Sequence, residues 1–321
     1  MIEFKQAKNL IKKSKVIYIC GHDNPDGDSI GSSFAMYLAL KKINKNVSII
    51  LSKYSDTFNF LPNISDSKLK INEDSIDLLI ALDSSDLSRI CLSDEDIKKA
   101  KNIIMIDHHK RSNVYGDIQI INDSCPATCE IVYEFLNYMK IDIDLDIATY
   151  IYTGILTDTG SFNYASTTAR TLEIVSKLLD IGINFSYICK KLNDTIKESK
   201  LKLIATAINN MEVYSGGKIR YTYVDYDTIS KLKVEEEDAE GMTNYLRMVE
   251  GTEVAIYVRG KINGDNKVSL RAGEMVDVSE IAMIFGGGGH KRAAGYTMLE
   301  DIEISKAKLL IEIQKLLEKV W

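Results

Sequence analysis

The chain has 321 residues, 45% hydrophobic and 27% charged, with a formal net charge of −6. That length suits one large or two ordinary cores, and the composition is that of a globular protein rather than a disordered or fibrous one. An acidic balance disfavours a grip on long duplex nucleic acid, which needs a basic face. No apolar run reaches the roughly 18 residues of a membrane span, so no membrane partner is expected. Five scattered cysteines suit a reducing compartment. The N-terminal "MIEFKQAKNLIKKSK" carries lysines but no following apolar stretch with a cleavage site, so a cytoplasmic location is expected.

In chain order, "KVIYIC" (15–20) reads as a buried strand, "DSIGSSFAMYLALKKI" (28–43) as a helix, and "NVSIIL" (46–51) as a strand. "IDLLIALD" (76–83) and "NIIMID" (102–107) are two more strands, with a helical "DEDIKKAK" between them. Helices are expected over 127–140, 144–157 and 167–181, the first capped by Ser124 with Pro126 in its first turn. The amphipathic 184–213 reads as one long helix or two and as the linker. Strands follow at 218–226, 252–260 and 267–273, and helices at 278–285 and 304–320. The expected fold is α/β: a larger, doubly wound, mostly parallel-sheet domain over 1–183, the helical linker over 184–213, and a smaller α/β domain over 214–321, with a cleft between them.

Parallel sheets place ligand sites beyond the carboxyl ends of their strands. Three strand ends here carry unusual residues: His22, Asp26 and Asp28 in "GHDNPDGDS", then Asp83, then Asp107-His108-His109. Asp158 closes an apolar helix in "TGILTDTGSFNY". Each has an ordinary reading when taken alone. "HDNPDGD" is turn chemistry, and a lone Asp83 would cap a helix. Asp158 lies at the wrong end of its helix for the dipole. Together the ordinary readings need four coincidences at one sheet edge. His22, Asp26, Asp28, Asp83, His108 and Asp158 supply two imidazoles and four carboxylates. Crowded carboxylates repel unless cations compensate them, and four negative charges balance two divalent ions. A mixed N/O donor set suits Mn²⁺ best, with Mg²⁺, Fe²⁺, Co²⁺ or Zn²⁺ as other candidates. Such a pair activates water and neutralises a phosphoryl group under attack.

"HDNPDGDSIGS", "ALDSSD", "IDHHK" and "TGILTDTGSF" resemble, in order, the four motifs of the DHH phosphoesterase superfamily. "FGGGGHKRAAG" (285–295) resembles the signature of its companion DHHA1 domain. Within the superfamily, the length and plan are similar to those of NrnA-type bifunctional oligoribonucleases and 3′-phosphoadenosine-5′-phosphate phosphatases. The resemblance implies that His22 and Asp26 hold a first metal. It implies that Asp28, His108 and Asp158 hold a second, and that Asp83 bridges the two. His109 is then catalytic, facing the scissile phosphate rather than a metal, and Asp107 and Asn24 support from behind. Substrates are short RNA oligonucleotides or nucleotides, and a homodimer is left open. Cyclic-di-AMP or linear dinucleotide phosphodiesterases share the plan and stand as an alternative. So does a nucleotide-sensing module without turnover, whose mark would be a lost ligand; all six are present. RecJ-type exonucleases are longer, and manganese pyrophosphatases carry a different second domain. One departure is visible: where NrnA-type enzymes often carry a basic residue after the fourth motif, this chain has Ser161 and Asn163.

In the second half, Gly286 to Gly289 lack Cβ, so backbone can approach a ligand and successive N–H groups can form an anion nest. Gly287, Gly288, Gly289 and His290 are expected to bind phosphate or base. Arg271 in "SLRAG" is expected to fork onto a terminal phosphate. Cys125 and Cys129 read as small core residues, Cys20 as buried strand, and "EEEDAE" (235–240) as a solvated helix face.

Overall fold

The computed structural model describes residues 2–109, 115–236, 238–273, 275–299 and 302–320. The chain divides into two compact units, Met1–Thr195 and Ile196–Trp321. No helix among the described residues is long and apolar enough to cross a membrane.

The first unit runs α1 (Ile2–Lys13), β1 (Val16–Cys20), α2 (Gly27–Lys42), β2 (Asn46–Ile50), β3 (Leu78–Leu82), α3 (Asp94–Lys98), β4 (Ile103–Asp107) and β5 (Ile118–Ile121). It closes with α4 (Thr128–Met139), α5 (Leu145–Asp158), α6 (Ala169–Asp180) and α7 (Phe185–Asn193). The five strands form one parallel sheet in the order β2-β1-β3-β4-β5. Alternation decides the two faces. Ile17, Ile19, Leu78, Ile80, Leu82, Ile104 and Ile106 face the large core with α2, α4 and α5. Tyr18, Cys20, Leu79 and Ala81 face a smaller one with Ile71, Ile76 and Ile90. Both faces are buried, so the strands read as near-continuous apolar runs, as parallel strands do.

The order of the sheet matters for function. After β1 the chain steps outward to β2 and then returns to β3, on the other side of β1. A crevice opens where the connections diverge, at the carboxyl ends of β1 and β3. The residues after those ends are His22 and Asp83.

α2 is buried on nearly every side, from Gly27 to Leu40. It lies against α5 through two glycines. A Cβ on Gly31 would meet the Tyr150 carbonyl oxygen at 2.6 Å, and one on Gly154 would meet Cys129 Sγ at 2.2 Å and Asp28 Oδ1 at 2.8 Å. The close approach carries Asp28 onto α5 and the start of α4.

The second unit contains α8 (Glu198–Asn209), β6 (Glu212–Tyr214), β7 (Ile219–Val224), α9 (Tyr226–Lys231), α10 (Met242–Arg247), β8 (Val254–Gly260) and β9 (Asn266–Ala272). α11 (Val278–Ile284), β10 (Gly288–His290), β11 (Ala293–Met298) and α12 (Ile302–Val320) complete it. Its mixed sheet has the order β10-β11-β9-β8-β7-β6, with only β7 and β8 parallel. Ile256, Val268, Leu270 and Tyr296 on one face pack with residues of α11 and α12. Val224 and Tyr257 on the other pack with Leu203, Ala207 and Met242.

Some expectations change. Ser124 does not cap α4: its hydroxyl donates to Asn122 Oδ1, and the N-cap is Ala127 without a side-chain bond. The expected strands missed β5, β6, β10 and β11; β6 begins inside the stretch 184–213 expected to be helical. β5 is a four-residue edge strand with one buried residue, and β10 and β11 are built on Gly and Ala, which carry little strand propensity. The acidic stretch 235–240 is not helical in its described residues; Glu237 lies outside them. Glu236 and Glu240 instead pair with the buried Arg259 at 3.2 and 3.3 Å.

Gly154→Ala tests the α2–α5 contact. Alanine gains about 1 kcal/mol of helix propensity, but overpacking costs about 1–3 kcal/mol. A 2.2 Å approach belongs at the upper end of that range. The variant is expected to lose about 1–2 kcal/mol in urea unfolding; a gain would show that the helices have room to part.

Candidate metal centre

Each residue named from the sequence arrives by a distinct local device. Asp26 is the N-cap of α2 and accepts from the backbone N–H groups of Asp28 and Ser29 at 3.1 and 3.0 Å. Asp28, in the first turn of α2, is fully buried. It accepts from Thr128 N at 2.6 Å and Cys129 N at 3.0 Å, so the positive end of α4 rests on its carboxylate. Asp83 leaves β3 with φ of 56°, a left-handed conformation that non-glycine residues seldom adopt. Its N–H donates to Ile106 O at 3.0 Å, and its Oδ1 accepts from Thr128 Oγ1 at 2.9 Å. Asp158 ends α5.

These groups converge. His22 Nε2 lies 3.7 Å from both Asp26 Oδ1 and Asp83 Oδ2. His108 Nε2 lies 3.1 Å from Asp158 Oδ2, 3.6 Å from Asp83 Oδ1 and 3.9 Å from Asp28 Oδ2. Donor atoms of His22, Asp26 and Asp83 fall within 4.8 Å of one another, as do those of Asp28, His108 and Asp158, and those of Asp83, His108 and His109.

The three histidines differ in what holds Nδ1. In His22 it meets the Asp23 carbonyl at 2.8 Å, and in His108 the Cys125 carbonyl at 3.2 Å. A carbonyl only accepts, so Nδ1 carries the proton and Nε2 is left to face the carboxylates. In His109, Nδ1 meets Asp107 Oδ1 at 2.8 Å. Its side chain is 46% exposed, against 12% for His22 and 13% for His108. The adjacent rings thus do different things: His108 turns inward and His109 outward.

The electrostatics are those of a cation site. Burial and the charges of Asp83 and Asp158 push the Asp28 carboxyl well above its usual range. Burial and the Asp26 charge push Asp83 up to about 6. Burial opposes protonation of His22, but contacts with Asp26, the Asp23 carbonyl and Asp83 outweigh it and raise its pKa to about 9. His108 is raised to about 10 against burial by Asp158, Asp28 and Asp83. Protons here take up charge that cations would otherwise neutralise. His108 Nε2 is buried without a well-aligned hydrogen bond. The donor set, two imidazoles and four carboxylates, fits two divalent ions of the Mn²⁺ or Mg²⁺ kind.

Not every expected residue joins the cluster. The Asn24 side chain turns to Asp23 Oδ2 at 3.2 Å, and its backbone N–H donates to Ser52 Oγ. Thr128 and the carbonyl of Cys125 were not foreseen; a threonine in a loop-to-helix junction carries no pattern that marks it. In the second unit, the strand register sets Arg271 opposite Ala293 and Ala293 opposite His290. These residues therefore share one row on one face. Gly288, Gly295 and Ser269 form the next row. The N–H groups of Gly286 and Gly287 donate to the Met283 and Ala282 carbonyls. They close the end of α11, so the first two members of the expected anion nest are already engaged.

Comparison with known proteins agrees with this layout. The pattern of the DHH family, N-terminal domain, matches residues 16–155, and that of the DHHA1 domain matches residues 216–320. The bifunctional oligoribonuclease and PAP phosphatase NrnA of Thermus thermophilus is 32% identical over 294 residues, covering 91% of this chain and 86% of that protein. The chain belongs to the DHH family. The crystal structure of an exopolyphosphatase-related protein from Bacteroides fragilis superposes with a TM-score of 0.88 at 28% identity, covering 99% of this chain and 96% of that one. RecJ from Thermus thermophilus, solved in complex with Mn²⁺, shares the DHH fold at a TM-score of 0.57 and 13% identity. That match covers 98% of this chain and 55% of RecJ.

The charge balance predicts a pH dependence. An Asp83 pKa raised from the ordinary carboxylate value to about 6 costs stability once the group ionises. The cost is absent below about pH 4 and complete above about pH 6. The raised His22 and His108 values act in the same direction. Their stabilisation is full below about pH 6.5 and is lost as pH rises through the folded values. Chelator-treated protein is therefore expected to unfold at lower urea at pH 8 than at pH 5. Asp83→Asn, which keeps an acceptor for Thr128, is expected to narrow that difference by about 1–2 kcal/mol, since part of the Asp83 cost is already present at pH 5. Equal midpoints at the two pH values would contradict this balance.

Proposed function

We propose that this DHH-family chain is a dimetal phosphoesterase. It hydrolyses short oligoribonucleotides to 5′-mononucleotides and 3′-phosphoadenosine-5′-phosphate (pAp) to AMP. One observation carries the reading: two groups of donors, joined through Asp83, lie beside a half-exposed histidine whose Nδ1 is held by a buried carboxylate. The similarity to NrnA of Thermus thermophilus over most of both chains supports the substrate class.

In this reading His22 and Asp26 would hold one ion, Asp28, His108 and Asp158 would hold the other, and Asp83 would contribute to both, with Mn²⁺ as the preferred metal. When bound, such ions supply Lewis acidity and neutralise charge on a phosphoryl group. The chain's own residues do the rest. The Asp23 and Cys125 carbonyls fix the His22 and His108 tautomers. The α4 N-terminus and Thr128 orient Asp28 and Asp83. Asp107 holds His109 Nδ1–H, and its charge raises the His109 pKa. His109 Nε2 thereby keeps a proton to place on the 3′ oxygen as the P–O3′ bond breaks and water oxygen joins phosphorus; the proton that the water releases passes to solvent, from which His109 regains its own. In the second unit, Arg271 and His290, with Gly287, Gly288 and Gly289 beside them, bind the nucleotide's terminal phosphate or base.

The test offers the linear dinucleotide pApA, pAp and cyclic di-AMP side by side with Mn²⁺, comparing kcat/KM. Turnover of the first two, with weak opening of the ring, is expected. Preference for the cyclic substrate, or turnover of none, overturns the proposal. His109→Ala is expected to lose at least about 100-fold in kcat while retaining bound Mn²⁺ by elemental analysis. Asp83→Ala is expected to lose the metal itself. Equal metal loss in both would reverse the roles given to them.

A further inference from the structure

The first unit holds a cavity of about 340 Å³ that Thr157, Gly160 and Ser161 help to line. It adjoins the metal centre. Thr157 immediately precedes Asp158, and a Cβ on Gly27, between Asp26 and Asp28, would lie 2.3 Å from Thr157 Oγ1. The cavity's size is at the lower end of the roughly 300–1,000 Å³ range of small-molecule sites.

Its chemistry differs from that of the centre beside it. No lysine, arginine, aspartate or glutamate lines it, so it offers no full charge to a phosphate or a metal. Phe58, Leu156 and Leu192 give apolar surface; Ser55, Thr57, Ser161 and Asn193 give hydroxyls and a carboxamide. Apolar walls with a few convergent neutral hydrogen-bonding groups suit a flat, uncharged, polar-edged group.

The rim is built at a cost. Gly160, Ser161 and Phe162 are three consecutive residues with φ of 54°, 58° and 66°, two of them not glycine. In that conformation a side chain's Cβ crowds the following carbonyl oxygen, so Ser161 and Phe162 are held there against their own preference. Such strain gathers at ligand sites, where the surrounding structure enforces it. Here Ser161 N–H donates to Leu156 O at 2.8 Å and Phe162 N–H to Thr159 Oγ1 at 3.1 Å. The turn presents Ser161 Oγ to Asn193 Nδ2 at 2.9 Å. Among the described residues, no donor occupies Asn193 Oδ1.

We infer that this groove is the subsite for the nucleoside on the far side of the scissile phosphate, the one that stays joined to phosphorus through its 5′ oxygen. The inference rests on the proposed function and names which part of a dinucleotide lies here. Breaking P–O3′ in pApA leaves this nucleoside on the phosphate as a 5′-mononucleotide. In pAp the same bond breaks and the phosphate leaves free. The two substrates therefore differ only in the group assigned to the groove.

The test places a tryptophan at each of two exposed rim positions, Thr57→Trp and Asn193→Trp, in the full chain with Mn²⁺, after thermal melts confirm folding. Each is expected to lower the ratio of kcat/KM for pApA to that for pAp at least tenfold. An unchanged ratio, including one from equal losses on both substrates, overturns the inference. Saturation-transfer NMR with adenosine is a second readout that does not depend on turnover. Contact is expected with the wild type and is lost in Asn193→Trp; no contact with the wild type also overturns the inference. Protein that binds adenosine here yet hydrolyses neither nucleotide would retain the groove and lose the proposed function. Protein that hydrolyses both, with the ratio untouched by either tryptophan, would do the reverse.

Discussion

Carboxylates crowded into a dry pocket repel, and the first unit is organised around containing that repulsion. Asp28, Asp83 and Asp107 are at most 2% exposed. Isolated ions there would be costly, so each has a dedicated partner. The α4 N-terminus meets Asp28, the Thr128 hydroxyl meets Asp83, and His109 meets Asp107. The partners reduce the cost without removing it, as the raised Asp28 and Asp83 values record. A fold selected for stability alone would not keep this arrangement. One that binds divalent cations gains from it, because cation binding replaces the displaced protons and the repulsion together.

Helix termini make the arrangement possible. α2 begins at the cluster, α4 begins against it, and α5 ends at it. The two N-termini favour negative charge, whereas the α5 C-terminus disfavours Asp158. Asp158 is thus the carboxylate its own helix supports least. The contact of its Oδ2 with His108 Nε2, at 3.1 Å, is the shortest between an imidazole and a carboxylate of the six. The glycine contact between α2 and α5 brings these termini together, and the same contact sets Thr157 beside Gly27 at the edge of the neighbouring groove.

Much of the cluster was legible in the sequence because strand ends are legible. "VIYIC", "LLIAL" and "IIMID" are apolar runs that stop abruptly at polar, chemically versatile residues, and a parallel sheet brings such ends to one edge. The order of the strands was not legible. Nothing local states that β3 lies next to β1 rather than next to β2, yet that placement sets Asp83 against His22. The weakest readings concerned groups whose role depends on a distant partner. Ser124 has the chemistry of a cap but bonds Asn122, while Ala127, without a side-chain acceptor, occupies the cap position. The α4 N-terminus is capped from 100 residues away by Asp28. Asn24 was expected behind the ligands and instead faces Asp23.

The glycine run shows the same division. Its lack of Cβ is a property of the residues and marks it as a place of close approach. Which N–H groups remain free was settled by α11, whose end takes those of Gly286 and Gly287, and by the pairing of β10 with β11. The sequence alone determined the chemical inventory: two imidazoles and four carboxylates at strand and helix ends, a third imidazole beside them, and a second unit with an arginine and a histidine set among glycines and alanines. Tertiary structure decided which histidine turns inward, which carboxylates are buried, and which of them share neighbours. The reason is physical. Residue type fixes what a side chain can donate or accept, but burial, tautomer and proton affinity belong to its surroundings, and those exist only once segments distant in the chain have packed together.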